Sequence, residues 1–259
     1  MMEPDGFNSL KTGNKKIPRV EFVDVTKCYG DLTAVDRLNL TLFPGEIFAF
    51  LGLNGAGKTT TIKLLVGLLY PTAGQILVNG IPLIRSPEKV KQMMGYIPDV
   101  SFLYEKLTGA EFLDFVGALY GLPRADYVPR RNELLETFGL APVANRLIEE
   151  YSHGMRQRLI YASVFLHDPE LMVIDEPTVG LDPEGMKLVK TLLRQMVTAG
   201  GTVLLSTHVL SLAETIADRI GIIHQGQLLT CGTLSELIGS KPSCRNLEEC
   251  FLHFVGSSR

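Results

Sequence analysis

The spacing of hydrophobic and polar residues changes along the chain, and each spacing predicts a different kind of element. Apolar residues alternate with polar ones at residues 20–22 and again at residues 38–42. A period of two is typical of a strand with one buried face, so we predict antiparallel strands near the start of the chain. Residues 47–51 are instead continuously apolar. Such a run is typical of a strand covered on both faces.

Helical spacing dominates the middle of the chain, from about residue 86 to residue 167. Ser86 precedes a proline, a pairing typical of a helix N-terminus, and residues 108–111 form a capping box ahead of an apolar helix face. After this region, apolar strands at residues 171–174 and 202–205 alternate with helices. Strands alternating with helices around an all-helical insertion predict an α/β fold with a helical subdomain at about 86–167.

The two ends of the chain lack this pattern. Residues 1–16 are polar and contain Gly, Asn and Lys, so we predict a flexible N-terminal arm. Residues 233–236 form a second capping box, and apolar residues recur at helical spacing through 247–254. We therefore expect a main domain at 17–232 and a C-terminal helical extension at 233–259 that packs on the core.

Composition and charge narrow the class of protein. The 259 residues include 25 Lys and Arg against 28 Asp and Glu, which gives a formal net charge of −3, and 46% are hydrophobic. These values are those of an ordinary globular protein and exclude a mainly disordered chain or a strongly basic nucleic-acid binder. No apolar run reaches the ~18 residues that a spanning helix needs, so we expect a soluble cytosolic chain. The cysteines have no zinc-site spacing, and we expect reduced thiols.

Residues 52–59 carry the strongest chemical signal, because they match G-x-x-x-x-G-K-[ST] in full between an apolar strand and a helix. Glycines let the backbone wrap closely around phosphate oxygens, and the following helix directs its positive end at the same anion. We predict a nucleotide-phosphate site, of the kind shared by kinases, GTPases and many ATPases, in which Lys58 neutralises phosphate charge and Thr59 binds Mg²⁺. The nucleotide-binding candidates here are Gly52, Leu53, Asn54, Gly55, Ala56, Gly57, Lys58, Thr59 and Thr60.

An acidic pair at the end of a buried strand indicates the reaction. Asp175 closes the apolar run at 171–174 and is expected to hold Mg²⁺. Glu176 follows it on the other side of the strand end, where a carboxylate can polarise an attacking water. A small-molecule kinase needs no such water-activating residue. The pair therefore favours hydrolysis of the bound nucleotide, with Glu176 and Lys58 as catalytic candidates.

With these motifs, the chain resembles the nucleotide-binding subunit of an ABC transporter from about residue 20 to residue 232. The resemblance implies a P-loop NTPase core with an antiparallel β subdomain and a helical insertion. It rests on an ordered series of motifs, which are Tyr29, residues 52–59, Asp99, Ser152 to Met155, Asp175 with Glu176, Gly180 to Asp182, and His208.

The resemblance also implies a role for each matching residue. In this family two subunits pack head to tail and enclose ATP between the phosphate loop of one and the signature helix of the other. His208 is thereby a third catalytic candidate. The implied contacts are Tyr29 with adenine, Asp99 with Mg²⁺, His208 with the γ-phosphate and the water, Ser152 and Gly154 with the partner's nucleotide, and Asp182 with the partner subunit.

The chain departs from the family's common pattern at the lid segment, residues 95–99, and at the signature, residues 151–155. Asp99 stands where glutamine is common, so its side chain is shorter and charged, and we expect an altered metal dependence. The common Leu-Ser-Gly-Gly-Gln signature is Tyr-Ser-His-Gly-Met here, so His153 and Met155 replace a glycine and an amide. This variant resembles the branch of export ATPases that work with separate membrane subunits.

The resemblance implies two partners, a transmembrane permease and a second ATP-binding subunit that is identical or related to this chain. It implies a position at the cytoplasmic face of the membrane, bound through the permease, and no nucleic-acid partner. Tyr96, Phe102, Leu103 and Tyr104 either line the permease groove or belong to the core of the helical insertion. Two other functions stay open: a soluble ABC-type ATPase acting on ribosomes or DNA, and a regulatory subunit that binds ATP without turnover.

Overall fold

The computed structural model describes residues 17–100, 102–177, 180–239 and 244–256, so the arm predicted at 1–16 lies outside it. The strands are β1 (Val20–Tyr29), β2 (Leu32–Leu42), β3 (Ile47–Leu51), β4 (Ala73–Val78), β5 (Ile81–Pro82), β6 (Met94–Ile97), β7 (Leu171–Asp175), β8 (Thr202–Thr207), β9 (Arg219–His224) and β10 (Gln227–Gly232). The helices are α1 (Lys58–Leu65), α2 (Pro87–Gln92), α3 (Gly109–Leu119), α4 (Arg124–Thr137), α5 (His153–Phe165), α6 (Pro183–Thr198), α7 (Leu210–Ile216), α8 (Leu234–Gly239) and α9 (Leu247–Gly256), with short 3₁₀ turns at Ala141–Val143 and Ile148–Glu150.

The first sheet is antiparallel, as the alternation predicted, and has the strand order β2-β1-β4-β5. β1 and β2 pair along most of their length, from Val20 opposite Leu42 to Tyr29 opposite Leu32. One face of this sheet, which includes Phe22, is buried against β3 and α1. The prediction of half-buried antiparallel strands is confirmed.

The second sheet has six strands in the order β10-β9-β3-β8-β7-β6, all parallel to their neighbours except the edge strand β10. β3 lies near its centre and is fully buried, which confirms the prediction of a strand covered on both faces. Ile47, Ala49 and Leu51 contribute to one core, whereas Phe48 and Phe50 contribute to the core beneath the antiparallel sheet. Because the strands are parallel, their carboxyl ends collect at one edge, where ligands bind in open α/β sheets.

The predicted helical subdomain at 86–167 is wrong at its start. Residues Met94–Ile97 form β6, which pairs with β7 and completes the six-stranded sheet. This strand has four residues and includes a glycine, so it lacks the length and the period that identify a strand from sequence. The helical subdomain consists of α3, α4 and α5, and Thr108 and Glu111 form the predicted capping box at the start of α3.

The described part of the chain after β10 is helical and packs on the core. Leu247 and Phe251 of α9 are buried, and the capping box at 233–236 forms its two hydrogen bonds. Leu252, which the spacing placed on the apolar face, is instead 63% exposed. Among the helices of the described ranges, none combines the length and the apolar character needed to cross a bilayer.

Candidate nucleotide-binding site

Three neighbouring strands of the six-stranded sheet end at the candidate site. β3 leads into the phosphate loop, which we define as residues 52–59; β7 ends at Asp175, and β8 ends just before His208. Asp175 lies opposite Ser206 in the parallel register. The fold therefore brings the loop, the acidic pair and the histidine together from distant positions in the chain.

The glycines of the phosphate loop are required by its close contacts. A Cβ atom at Gly52 would lie 2.7 Å from the carbonyl oxygen of Ile223, and a Cβ atom at Gly57 would lie 2.6 Å from that of Ala34. Gly57 also has a φ of 109°, in the left-handed region that favours glycine. The loop is therefore held closely against β2 and β9.

The other loop residues divide between an exposed tip and a helix turn. Residues 53–55 form the exposed tip, which is closed by a hydrogen bond from the Ala56 N–H to the Leu53 carbonyl oxygen at 3.1 Å. Thr59 and Thr60 are half-buried in the first turn of α1. N–H groups at the start of this helix and its dipole both favour a bound phosphate.

Lys58 is the first residue of α1 and is almost fully buried. Its ammonium group donates to the carbonyl oxygens of Gly52 at 2.8 Å and Leu53 at 3.2 Å. Burial lowers the pKa of Lys58, while the carboxylates of Glu176 and Asp175 oppose that shift. A cation held among loop carbonyls is well placed to neutralise phosphate charge.

Asp175 is only 1% exposed at the end of β7. The Ser206 hydroxyl donates to its Oδ1, whereas its Oδ2 is buried and has no hydrogen-bond partner within the described part of the chain. A buried carboxylate oxygen without a partner costs free energy, and a bound divalent cation offsets that cost. The residues present therefore fit the Mg²⁺ ion that the sequence predicted.

Glu176 and His208 are in direct contact, with His208 Nδ1 2.9 Å from Glu176 Oε1. The Thr207 hydroxyl donates to Glu176 Oε2 at 3.3 Å, and the Glu176 N–H donates to the Ser206 carbonyl oxygen at 3.1 Å. Glu176 has a φ of 55°, in the left-handed region. Its side chain is 17% exposed, whereas that of His208 is 57% exposed. The predicted base, Glu176, is therefore more buried than the predicted histidine that it contacts.

Ser152 and Gly154 lie at the N-terminus of α5 and not at the phosphate loop. Ser152 caps the helix, since its Oγ accepts the Met155 N–H at 3.3 Å. Met155 packs against the core, so apolar contact replaces the polar role of the family's amide. Among the described residues, no hydrogen bond joins this helix end to the phosphate loop.

Asp182 caps α6 and is held by an ion pair. Its Oδ1 accepts the Gly185 N–H at 2.8 Å, and one guanidinium nitrogen of Arg158 contacts Oδ1 at 2.9 Å and Oδ2 at 2.8 Å. The hydrogen bond from Arg158, followed by that from Gly185, lowers the pKa of Asp182. The carboxylate is therefore anionic and fixed in direction.

Tyr29 and Asp99 lie apart from this hydrogen-bonded group. Tyr29 ends β1 with an exposed ring, and the Lys27 ammonium lies 5.1 Å from the ring centroid. Asp99 is exposed after β6, and its Oδ1 accepts the N–H of the next residue at 2.8 Å. Burial first, and then the charges of Asp175 and Asp99, raise the pKa of Tyr96 to about 12. Tyr96 therefore lies within electrostatic reach of both acids.

Comparison with known proteins identifies the family of this chain. The sequence profile described as ABC transporter matches residues 35–179, which is more than half of the chain. The chain belongs to the ABC transporter family. It is similar to the bacitracin transport ATP-binding protein of Bacillus licheniformis, with 40% identity over 211 residues that cover 81% of this chain and 68% of that protein. The linearmycin resistance ATP-binding protein of Bacillus subtilis (strain 168) is 39% identical over 214 residues, which cover 83% and 69%.

A solved structure of the ATP-binding subunit of an ABC transporter has a TM-score of 0.86 with this ABC protein at 34% identity, covering 91% of this chain and 98% of that one. The predicted fold class, a P-loop ABC ATPase core with an antiparallel sheet and a helical insertion, is confirmed. The chain is an ATP-binding subunit and an ATPase of this family. The roles of its individual site residues remain predictions.

Several residues of this ABC ATPase site were missed by sequence reasoning. Ser206 and Thr207 support the acidic pair, and Arg158 fixes Asp182. The two hydroxyl residues lie between the strand predicted at 202–205 and His208, so their position was a usable signal. Arg158 gave none, because its partner is 24 residues away in the chain.

Proposed function

We propose that this ATPase subunit pairs with a second ATP-binding subunit and closes around two ATP molecules, each with Mg²⁺. The observation that carries this proposal is the separation of the site into two surfaces. Lys58, Asp175, Glu176 and His208 converge within one chain, whereas the α5 N-terminus that begins after Ser152 has no hydrogen bond to the phosphate loop among the described residues. A second subunit supplies the missing donors at a helix N-terminus.

Within each site, the chain's own residues divide the work. The phosphate loop and Lys58 bind and neutralise the phosphates. Glu176 accepts a proton from the attacking water, while His208 and Thr207 hold its carboxylate in position. Asp175 and the Thr59 hydroxyl hold Mg²⁺, which when bound neutralises charge on the phosphate oxygens. Turnover therefore requires both the acidic pair and the signature of the partner.

We further propose that a membrane permease docks beside the lid segment. Phe102, Tyr104 and Phe115 form an aromatic group that we call the docking cluster, with centroid distances of 6.4 Å for Phe102–Tyr104 and 5.3 Å for Tyr104–Phe115. Phe102 is 87% exposed, and the cluster borders a cavity of about 760 Å³ that Asp99 also lines. An exposed aromatic group beside a lid residue fits a partner helix from a permease.

The four residues that the sequence suggested for a permease groove differ in exposure. Phe102 and Tyr104 are exposed and belong to the docking cluster, whereas Leu103 is buried in the core. Tyr96 lines a separate cavity of about 350 Å³ together with Leu119. The aromatic pair at 102 and 104 is therefore our candidate for the first permease contact.

The names of the relatives favour export as the direction of transport. One is named for bacitracin transport and another for linearmycin resistance, and resistance to a toxic compound fits its removal from the cell. Together with the Tyr-Ser-His-Gly-Met signature, this supports an export ATPase bound through its permease to the cytoplasmic face of the membrane.

The proposal is tested with Glu176→Gln, which keeps the shape of the side chain but removes the base. We expect this variant to bind ATP, to release no phosphate and to accumulate as a dimer in ATP and Mg²⁺, as measured by phosphate release and light scattering. Glu133→Gln, a change at an exposed carboxylate on α4, is the matched control and should hydrolyse ATP normally. A Glu176→Gln protein that stays monomeric in ATP and Mg²⁺ contradicts the proposal.

A further inference from the structure

His153, which replaces a glycine of the common signature, lies against the turn before α6. A Cβ atom at Gly180 would lie 2.3 Å from His153 Nε2 and 2.8 Å from its Cδ2. Gly180 also has a φ of +82°, in the left-handed region. A side chain at residue 180 would therefore need both a left-handed backbone and the space that the imidazole occupies, so glycine suits this position.

Two other residues of α5 contact residues on either side of Gly180. The Tyr161 hydroxyl donates to the Pro177 carbonyl oxygen at 3.3 Å, and Arg158 contacts both carboxylate oxygens of Asp182 at 2.9 and 2.8 Å. Both contacts lie further along the helix. His153 supplies the contact nearest to Ser152, at the end of α5 that we expect to face a second subunit.

The other side of His153 borders the lid segment. The imidazole lines the cavity of about 760 Å³ together with Asp99 and Phe102. One turn further along α5, Arg156 forms an ion pair with Glu105 at 2.7 Å. His153 thus stands between the turn that leads to Asp182 and the segment that carries the docking cluster.

We propose that His153 is a positioning residue that holds the Gly180–Asp182 turn against the signature helix, so that Ser152 and Asp182 meet the partner subunit as one preformed surface. This inference rests on the proposed function, since it requires an ATP-dependent dimer. A preformed surface binds more tightly because less conformational freedom is lost on association. His153 therefore raises the affinity between subunits without touching the nucleotide on its own chain.

The test compares dimer dissociation constants in the Glu176→Gln background with ATP and Mg²⁺, measured by sedimentation velocity. Adding His153→Gly, which restores the family's common residue, should weaken the dimer on the order of tenfold, as expected for residues that couple through direct contact. The affinity of the monomer for a fluorescent ATP analogue should not change. Glu133→Gln, the change at an exposed carboxylate on α4 described above, is the control and should dimerise as the background does.

Two further measurements separate positioning from general damage. His153→Gln retains a planar side chain that reaches Gly180 and should recover most of the dimer affinity lost in His153→Gly. Thermal unfolding of the monomers checks that each variant is folded. A His153→Gly protein that dimerises as tightly as its background, or that loses ATP binding as a monomer, overturns this inference alone. A background protein that fails to dimerise overturns the proposed function itself.

Discussion

Asp175→Asn separates the stability of the site from its use of metal. The native carboxylate is 1% exposed, one oxygen accepts the Ser206 hydroxyl, and the other has no hydrogen-bond partner among the described residues. Lys58 lies close enough for its charge to interact with Asp175, which offsets part of the cost of burial. Asparagine keeps the shape and removes the net charge.

The expected size follows from the buried charge. Leaving a buried charged group without a full set of partners costs at least about 1–3 kcal/mol. The neutral amide of asparagine costs less to bury, and the nearby ammonium offsets part of the difference. We therefore expect the free energy of unfolding without nucleotide to rise by about 1 kcal/mol, which for a chain of this size raises Tm by about 2–4 °C. With ATP, by contrast, the additional stabilisation that Mg²⁺ gives the native protein should disappear.

The assay is thermal unfolding of native protein and variant, each without ligand, with ATP and EDTA, and with ATP and Mg²⁺. Glu133→Gln, the same carboxylate-to-amide change at an exposed position on α4, is the control and should alter neither quantity. An Asp175→Asn protein that keeps the full Mg²⁺-dependent increase in Tm would refute the assignment of Asp175 to the metal. One that is less stable than native protein without ligand would refute the argument from the buried charge.

Three further predictions concern the lid, the docking cluster and the phosphate loop. Asp99→Gln should shift the Mg²⁺ concentration at half-maximal ATP turnover, and an unchanged titration counts against a metal role for Asp99. Phe102→Ala with Tyr104→Ala should lower co-purification with the permease at least tenfold at unchanged ATP affinity, because burying ~200 Å² of aromatic surface contributes about 5 kcal/mol. Normal recruitment would remove the docking cluster from the proposal. Burial lowers the pKa of Lys58 below the ordinary 10.5. ATP affinity should therefore fall as the pH rises, and it should do so below the pH at which an ordinary lysine loses its proton. Calorimetry that shows constant affinity up to about pH 10.5 would contradict this.

The parts of the site that are contiguous in sequence were predicted from it, and those that depend on side-chain contacts were not. The phosphate loop was recognisable because its glycines, its lysine and its flanking strand and helix follow one another directly. β6 was missed because four residues of an edge strand carry too little pattern to distinguish them from the surrounding helices. The contact between His153 and Gly180 depends on how α5 packs beside α6, which no local pattern records.

The same distinction applies to the fold. Alternation and continuous apolar runs predicted β1, β2 and β3 because burial of a strand leaves a direct mark on its residue types. The order of the strands in the six-stranded sheet leaves no such mark, since β3 pairs with β8 and β9 from the far end of the chain. Family resemblance, not periodicity, supplied that architecture.

The backbone conformation of Glu176 lowers the stability of the protein, while its side chain is required for ATP hydrolysis in the proposed mechanism. A side chain held at a φ of 55° raises the energy of the native state by roughly 1–2 kcal/mol relative to glycine, which adopts that angle freely. Glycine at this position should therefore give a more stable protein that does not hydrolyse ATP. In a related protein that no longer needs to hydrolyse ATP, we expect glycine to replace glutamate at this position. The replacement would therefore indicate a subunit that binds ATP without turnover.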